Sequence, residues 1–314
     1  MTKMRGILGV LVLAVLVYSG LWHTTAFQAE KQAATTLAGW RDLGLRIEHG
    51  KIKLSGFPYR MVLTIDGISL RTREAGLDFG ADSVMLVSHL WTPGHWVAEA
   101  RNVKALFAGG ALEATDGYMR SSYRRMKDGG ARIVVDSLST EDFSLVAAPG
   151  LQPGVSLENW ELYLRNNPTT GANGDGLYEN RFLDFKLTFE TKTQRFDTEG
   201  GIMGPPVTDW TKASIGSWRD AGGLLELDKI SLSGDGGALT GNASLTLDET
   251  FRLLGSASLQ VSEKDALGAL LGVFGRQTTS VPAGTVAEQV SVMMQMGTLT
   301  INGEPIISLM PVVN

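Results

Sequence analysis

The chain has no cysteine in its 314 residues, which excludes disulfides, thiol nucleophiles and thiolate metal ligands together. The absence fits a bacterial periplasm, which permits disulfides without requiring them. Histidine is scarce, at four residues: His23, His49, His89 and His95. Only His89 and His95 are close in sequence, six apart across Trp91-Thr92-Pro93-Gly94, and that pair lacks obvious third and fourth ligands for zinc. There is no His-Glu-x-x-His, no Gly-x-Ser-x-Gly and no Walker-type loop. Basic residues are outnumbered, 28 against 33 acidic. Without Lys3 and Arg5 the remainder carries a formal −7, a poor surface for nucleic acid. No Lys/Arg cluster supports binding to anionic lipid headgroups either.

Beyond residue 22 no long apolar run recurs. Before it there is one: Gly6 to Trp22 is uncharged and rich in Leu, Val and Ile, preceded by Lys3 and Arg5. As a helix this run is roughly 26 Å long, enough to cross a hydrocarbon core. Two readings stand. A retained anchor is favoured by the length of the run and by Tyr18 and Trp22 at its exit, which suit a membrane interface. A cleaved signal peptide needs a shorter apolar core and small residues at the cut, which only Thr24 and Ala26 supply. The basic N-terminus predicts a cytoplasmic start and a translocated domain, that is, a single-pass inner-membrane protein facing the periplasm.

The expected organisation is a transmembrane anchor or signal peptide over 1–23, a connecting helix over 24–46 and a β-rich periplasmic domain over 47–314. The domain's two halves would meet near 166–180, where Pro168, Gly171 and Gly174 mark a loop. In the connecting segment Ala26, Ala29, Ala33, Leu37, Trp40 and Leu43 recur at helical spacing, predicting a packed face too rich in Ala for strong lipid insertion.

From Ile47 the period changes to two. Ile52/Leu54, Met61/Leu63/Ile65, Trp160/Leu162/Leu164 and Phe185/Leu187/Phe189 alternate with polar residues, and so do several C-terminal stretches. Gly67 interrupts one such run before Ile68 and Leu70. Strands separated by Gly, Asp and Asn at short intervals predict a mainly β fold: a long antiparallel meander, curled or sandwich-like. Asn302-Gly303 predicts a hairpin before a last strand near 306–309. Three helices are expected to interrupt the strands. One is capped at Thr208, carries Ile215 and Trp218 and ends at Gly222-Gly223; a second starts from Ser262 and carries Leu267, Leu270, Leu271 and Phe274. The third spans 285–296 and carries Val290, Met293 and Met294.

The run Gly56-Phe57-Pro58-Tyr59-Arg60 before an alternating strand, with Leu239-Thr240-Gly241-Asn242-Ala243, Leu245-Thr246-Leu247-Asp248 and Leu299-Thr300-Ile301-Asn302-Gly303 later in order, resembles an alphaproteobacterial envelope-protein family catalogued as domain of unknown function 2125. The Gly-spaced strands are also similar, in architecture only, to AsmA-type envelope proteins, whose long sheets curl into an apolar groove. Neither resemblance supplies catalytic residues.

The residues themselves point to no enzyme, cofactor or metal. Acidic pairs such as Glu141/Asp142 and Asp228/Asp235 could flank a glycosidic bond, but on a meander such groups usually occupy turns and solvent faces. The loop at 171–176 resembles a calcium loop superficially, with one carboxylate. Within the Gly-Phe-Pro-Tyr-Arg run, one reading is a bent edge strand with Phe57 and Tyr59 packed on the core; another makes Tyr59 and Arg60 the rim of a ligand groove or partner surface. Leu270, Phe274, Met293 and Met294 are the residues expected to close an apolar groove, since Met adapts to irregular apolar shapes. The leading expectation is a non-catalytic binding or scaffold role in the envelope, with the membrane, and lipid or another envelope protein, as partners. Pairing through an edge strand is the alternative, and a glycan hydrolase the third.

Overall fold

A computed structural model describes residues 2–42, 45–71, 78–92, 94–107, 110–114, 118–127, 130–137, 143–145, 155–157, 159–167, 181–207, 211–235, 237–262 and 289–313. The apolar run and the connecting segment are one unbroken helix, α1 (Thr2–Asp42). The Leu-, Val- and Ala-rich run has no interior proline, so nothing interrupts the helical ladder. Leu11 to Val17 are largely solvent-exposed apolar residues, whereas Trp22, Ala26 and Leu37 are buried against the rest of the chain.

Everything else described, apart from one short helix, is antiparallel sheet. Its strands are β1 (Arg46–His49), β2 (Ile52–Ser55), β3 (Met61–Arg71), β4 (Asp78–Ser88), β5 (His95–Arg101), β6 (Lys104–Phe107), β7 (Gly110–Ala114), β8 (Tyr118–Arg125), β9 (Ala131–Ser137), β10 (Phe143–Leu145), β11 (Val155–Leu157), β12 (Asn159–Asn166), β13 (Arg181–Glu190) and β14 (Gln194–Met203). After α2 (Lys212–Asp220) come β15 (Leu224–Gly234), β16 (Gly237–Leu247), β17 (Leu253–Val261), β18 (Gln289–Gln295), β19 (Thr298–Ile301) and β20 (Glu304–Ser308). β1 and β2 share one edge of β3, which pairs with β4. The ladder then runs β4–β5–β8–β9–β12–β13 and on, each strand paired with the next in the chain, to β20. A branch of shorter strands, β6–β7–β10–β11, leaves the far end of β4. This is the antiparallel meander that the period of two predicts.

The alternation also explains the main core. Ile230, Leu232, Leu239, Ala243, Leu245, Leu259, Val290, Val292, Leu299 and Ile301 project from successive strands into one buried cluster. Each fully buried Leu or Ile contributes about 1.5–3 kcal/mol over its exposed state. The parity change between Leu227 and Ile230 is a bulge inside β15 at Asp228-Lys229, not a break between two strands. Asn302 and Gly303, both at positive φ, make the expected turn between β19 and β20.

Two local expectations are corrected. The segment expected as a helix over 285–296 is a strand from Gln289, with Val290 and Val292 buried and Gln289, Ser291 and Met293 exposed. A period of two fits 289–293 as well as helical spacing fits the longer window, and pairing with β17 and β19 decides between them. The Gly56–Arg60 run is a turn joining β2 to β3, not a bent edge strand, and Tyr59 is 73% exposed. The helix expected from Thr208 begins instead with Thr211 as its cap, whose side chain accepts from the Ser214 amide. It buries Ile215 and Trp218 as expected and ends before Gly222-Gly223. The helix expected from Ser262 through Phe274, the acidic pair Glu141/Asp142, the loop at 171–176 and Thr208 lie outside the described residues.

Candidate apolar cavity and its aromatic clamp

α1 is fastened to the sheet at two places. Toward the apolar run, the Tyr18 hydroxyl donates to the Pro58 carbonyl at 2.5 Å and the Trp22 indole NH to the Arg60 carbonyl at 3.2 Å. Trp22 also meets Phe57 edge-on, with ring centroids 5.3 Å apart, and His23 stacks on the same Phe57 ring. Toward its C-terminus, Arg41 Nε donates to the Ile47 carbonyl at 3.1 Å.

Between the two fastenings the helix stands off the sheet, leaving an open-sided cavity of about 780 Å³. The helix side is Thr25, Gln28, Ala29, Gln32, Ala33, Thr36, Leu37 and Trp40, the three-and-four spacing that the sequence shows. The sheet side is built by cross-strand rows. Leu63, Leu86, Ala98 and Ser121 form one row over β3, β4, β5 and β8, and Ile65, Val84, Ala100 and Met119 form the next. Across Gly67, at φ +61°, β3 changes the face it presents, so that Ile68 and Leu70 continue the lining with Phe79 opposite Leu70. Met61 and Trp96 line the end nearer the apolar run, next to the cluster of Trp22, Ala26 and Met61. Small residues explain the space: Ala29 and Ala33 on the helix side and Ala98 and Ala100 on the sheet side line it, where longer side chains would fill it. A volume within about 300–1,000 Å³ and a lining mostly of carbon with a few amides and hydroxyls is the usual make-up of a small-molecule site.

The residues singled out from the sequence fall elsewhere. Phe57, Tyr59 and Arg60 sit together in the turn that clamps Trp22, outside the cavity lining. Met293 and Met294 lie on β18, Met293 46% exposed and Met294 packed against the C-terminal core. Leu270 and Phe274 lie outside the described residues. The strands β4, β5 and β8, which supply most of the sheet side, escaped the sequence reading. Trp96-Val97-Ala98-Glu99-Ala100 does alternate, but its apolar face is mostly Ala and Val97 blurs the polar one.

The remaining polar groups are mostly paired in ways that hold strands together. Arg181, from β13, grips Asp228 at the β15 bulge and reaches Asp184 at 3.5 Å. Asp197 is held below the usual carboxylate range by the Arg195 guanidinium and the Thr188 hydroxyl, which outweigh its partial burial. Asp228 and Asp235 are separated by roughly 23 Å of strand and turn at the usual rise of ~3.3 Å per residue, too far to flank one bond. His89 stacks on Trp91, while His95 Nε2 lies 3.0 Å from the Ser122 hydroxyl. Among the described residues no three His, Asp or Glu side chains gather as a metal site would require.

No curated protein and no solved structure matches the chain. The sequence profile of the family described as "Uncharacterized protein conserved in bacteria", domain of unknown function 2125, matches residues 22–305, so that the chain, from the last residue of its apolar run to its final hairpin, belongs to that family.

Proposed function

We propose that the protein is a non-catalytic, membrane-anchored envelope component that holds an apolar chain, a lipid acyl group, in the cavity between α1 and the β3–β4–β5–β8 face. One observation carries this reading: the wall of the cavity is the continuation of the only described helix long and apolar enough to cross a bilayer. With Lys3 and Arg5 ahead of the apolar run of that helix, the sheet domain faces the periplasm from the inner membrane. Moving a methylene from water into such a cavity contributes about 0.8 kcal/mol. Moving it from a bilayer is close to neutral, because lipid tails are as apolar as the lining. A site of this kind exchanges chains with a membrane rather than extracting them irreversibly.

Strand addition is less well supported. The edge formed by β1 and β2 carries Arg46, Glu48, Lys51 and Lys53, and the β20 edge carries Glu304 and Pro305, features that discourage pairing. Hydrolysis of glycans needs two carboxyls flanking one bond, and Asp228 and Asp235, a pair that the sequence offers for it, are separated along β15 and its turn.

The test is photo-cross-linking of the full chain in vesicles that contain a phosphatidylethanolamine with a diazirine on its acyl chain, followed by peptide mapping. Adducts on the 61–70, 84–86 and 96–100 segments are expected, and Ala98→Phe, which fills the cavity, should reduce them at least severalfold. Adducts confined to residues 6–22 and unaffected by Ala98→Phe would overturn the proposal.

A further inference from the structure

We infer that the sheet end beside the Trp22 clamp is a second membrane contact: an aromatic and cationic surface that lies on the anionic headgroups of the bilayer α1 crosses. Phe57 and Tyr59, 50% and 73% exposed, lead away from the clamp, and Trp91 beside them is 65% exposed. His89 joins the two turns, with its Nδ1 3.4 Å from the Tyr59 carbonyl and its ring stacked on Trp91. The same end of the sheet gathers cations that are scattered in the sequence. Arg60 closes the clamp turn, and Arg124 pairs in register with His95 while the Arg125 amide donates to Gly94. Lys127 follows in the same exposed turn.

The height of this surface follows from the clamp. The turn at 57–60 reaches down α1 to Tyr18, four residues inside the apolar run, or about 6 Å below Trp22. With the run in the bilayer, Phe57 and Tyr59 therefore sit among the headgroups, the level aromatic rings prefer. Exposed cations there meet anionic headgroups although the domain as a whole is acidic. Met61 and Trp96, at the near end of the cavity, stand directly above. The inference rests on the anchored reading of α1 and deepens the proposed function by naming the source of the ligand as the protein's own bilayer.

The absence of cysteine makes the test direct. Arg60→Cys, Thr92→Cys and Val12→Cys, each labelled with an environment-sensitive nitrobenzoxadiazole dye, are reconstituted as full chains in vesicles of phosphatidylcholine with phosphatidylglycerol. Dye at 60 and 92 is expected to emit to the blue of the free dye and to be quenched by spin label near the headgroup. Adding Phe57→Ser, Tyr59→Ser and Trp91→Ser, or Arg124→Gln, Arg125→Gln and Lys127→Gln, should return its emission toward that of the free dye. Free-dye emission at 60 and 92 with dye at 12 buried would overturn this inference alone. Free-dye emission at 12 as well would overturn the anchored reading with it.

Discussion

Arg181 and Asp228 face each other through two parallel hydrogen bonds, Nη1 to Oδ2 and Nη2 to Oδ1, both 2.9 Å. The arginine is 8% exposed and the aspartate 42%, so the pair is buried from one side only. Asp228 is available for this because the β15 bulge places one extra residue opposite β14. Asp228→Ala leaves a buried guanidinium without its main acceptor, and a loss on the order of 1–3 kcal/mol is expected in urea unfolding of the detergent-solubilised chain. Asp228→Asn, which keeps one acceptor, should lose less.

Gly223 lies flat beneath the Trp218 indole. A β-carbon added there would come 2.2 Å from Trp218 Cε2, and the ring is fixed by its NH bond to the Met203 carbonyl at 2.8 Å. Gly223→Ala should therefore lower stability by about 1–3 kcal/mol, the usual cost of overpacking. Trp218→Leu in the same chain should recover part of it, giving a non-additive double-mutant cycle.

Asp248 organises the β16–β17 turn by accepting at Oδ1 from the Thr250 amide, the Thr250 hydroxyl and the Arg252 amide, at 2.8, 2.7 and 2.9 Å. Burial acts to raise its pKa, but these donors together outweigh it and hold the carboxyl below its ordinary value of 3.8. A depressed folded pKa adds stability that is fully present above the unfolded value and disappears as pH falls through the folded one. Thermal unfolding from pH 7 to pH 2 should thus show a decline in the wild type, beginning near pH 4, that Asp248→Asn reduces. An unchanged profile in that variant would contradict the assignment.

The strand at 289–295 makes an alternating prediction. Val290→Asp and Val292→Asp place a charge in the C-terminal core and should prevent stable folding, whereas Met293→Asp faces solvent and should change stability by less than about 0.5 kcal/mol. Helical spacing, which puts Val290, Met293 and Met294 on one face, predicts similar damage at 290 and 293. Expression level and thermal midpoint of the full chain distinguish the two.

Much of the fold was legible because an antiparallel sheet with one wet face writes its geometry as alternation, as at Phe185, Leu187 and Phe189. The helical face of Ala29, Ala33, Leu37 and Trp40 was equally clear. What those residues face was not, because it depends on pairing between β5 and β8, which is set by the branch through β6 and β7 and leaves no local mark. In β4 the run Val84-Met85-Leu86-Val87 is apolar on both faces, so it carries no period from which to read its direction. The aromatic run at 56–60 stood out in the sequence, but its contact with Trp22, more than thirty residues earlier, did not. The cationic end of the sheet was invisible for a similar reason: Arg60 and Arg124 come to the same end of the sheet only through the β3–β4–β5–β8 ladder.

α1 has no break between its apolar half and the half that walls the cavity. An unbroken helix of this kind, anchored as proposed, behaves as a lever, with the Tyr18–Trp22 clamp as its fulcrum. Helices meet a bilayer thicker or thinner than their apolar length by changing tilt, and a rotation about the fulcrum moves Leu37 and Trp40 by an amount that grows with their distance from it. On the anchored reading proposed above, the width of the cavity is thereby tied to the thickness of the membrane.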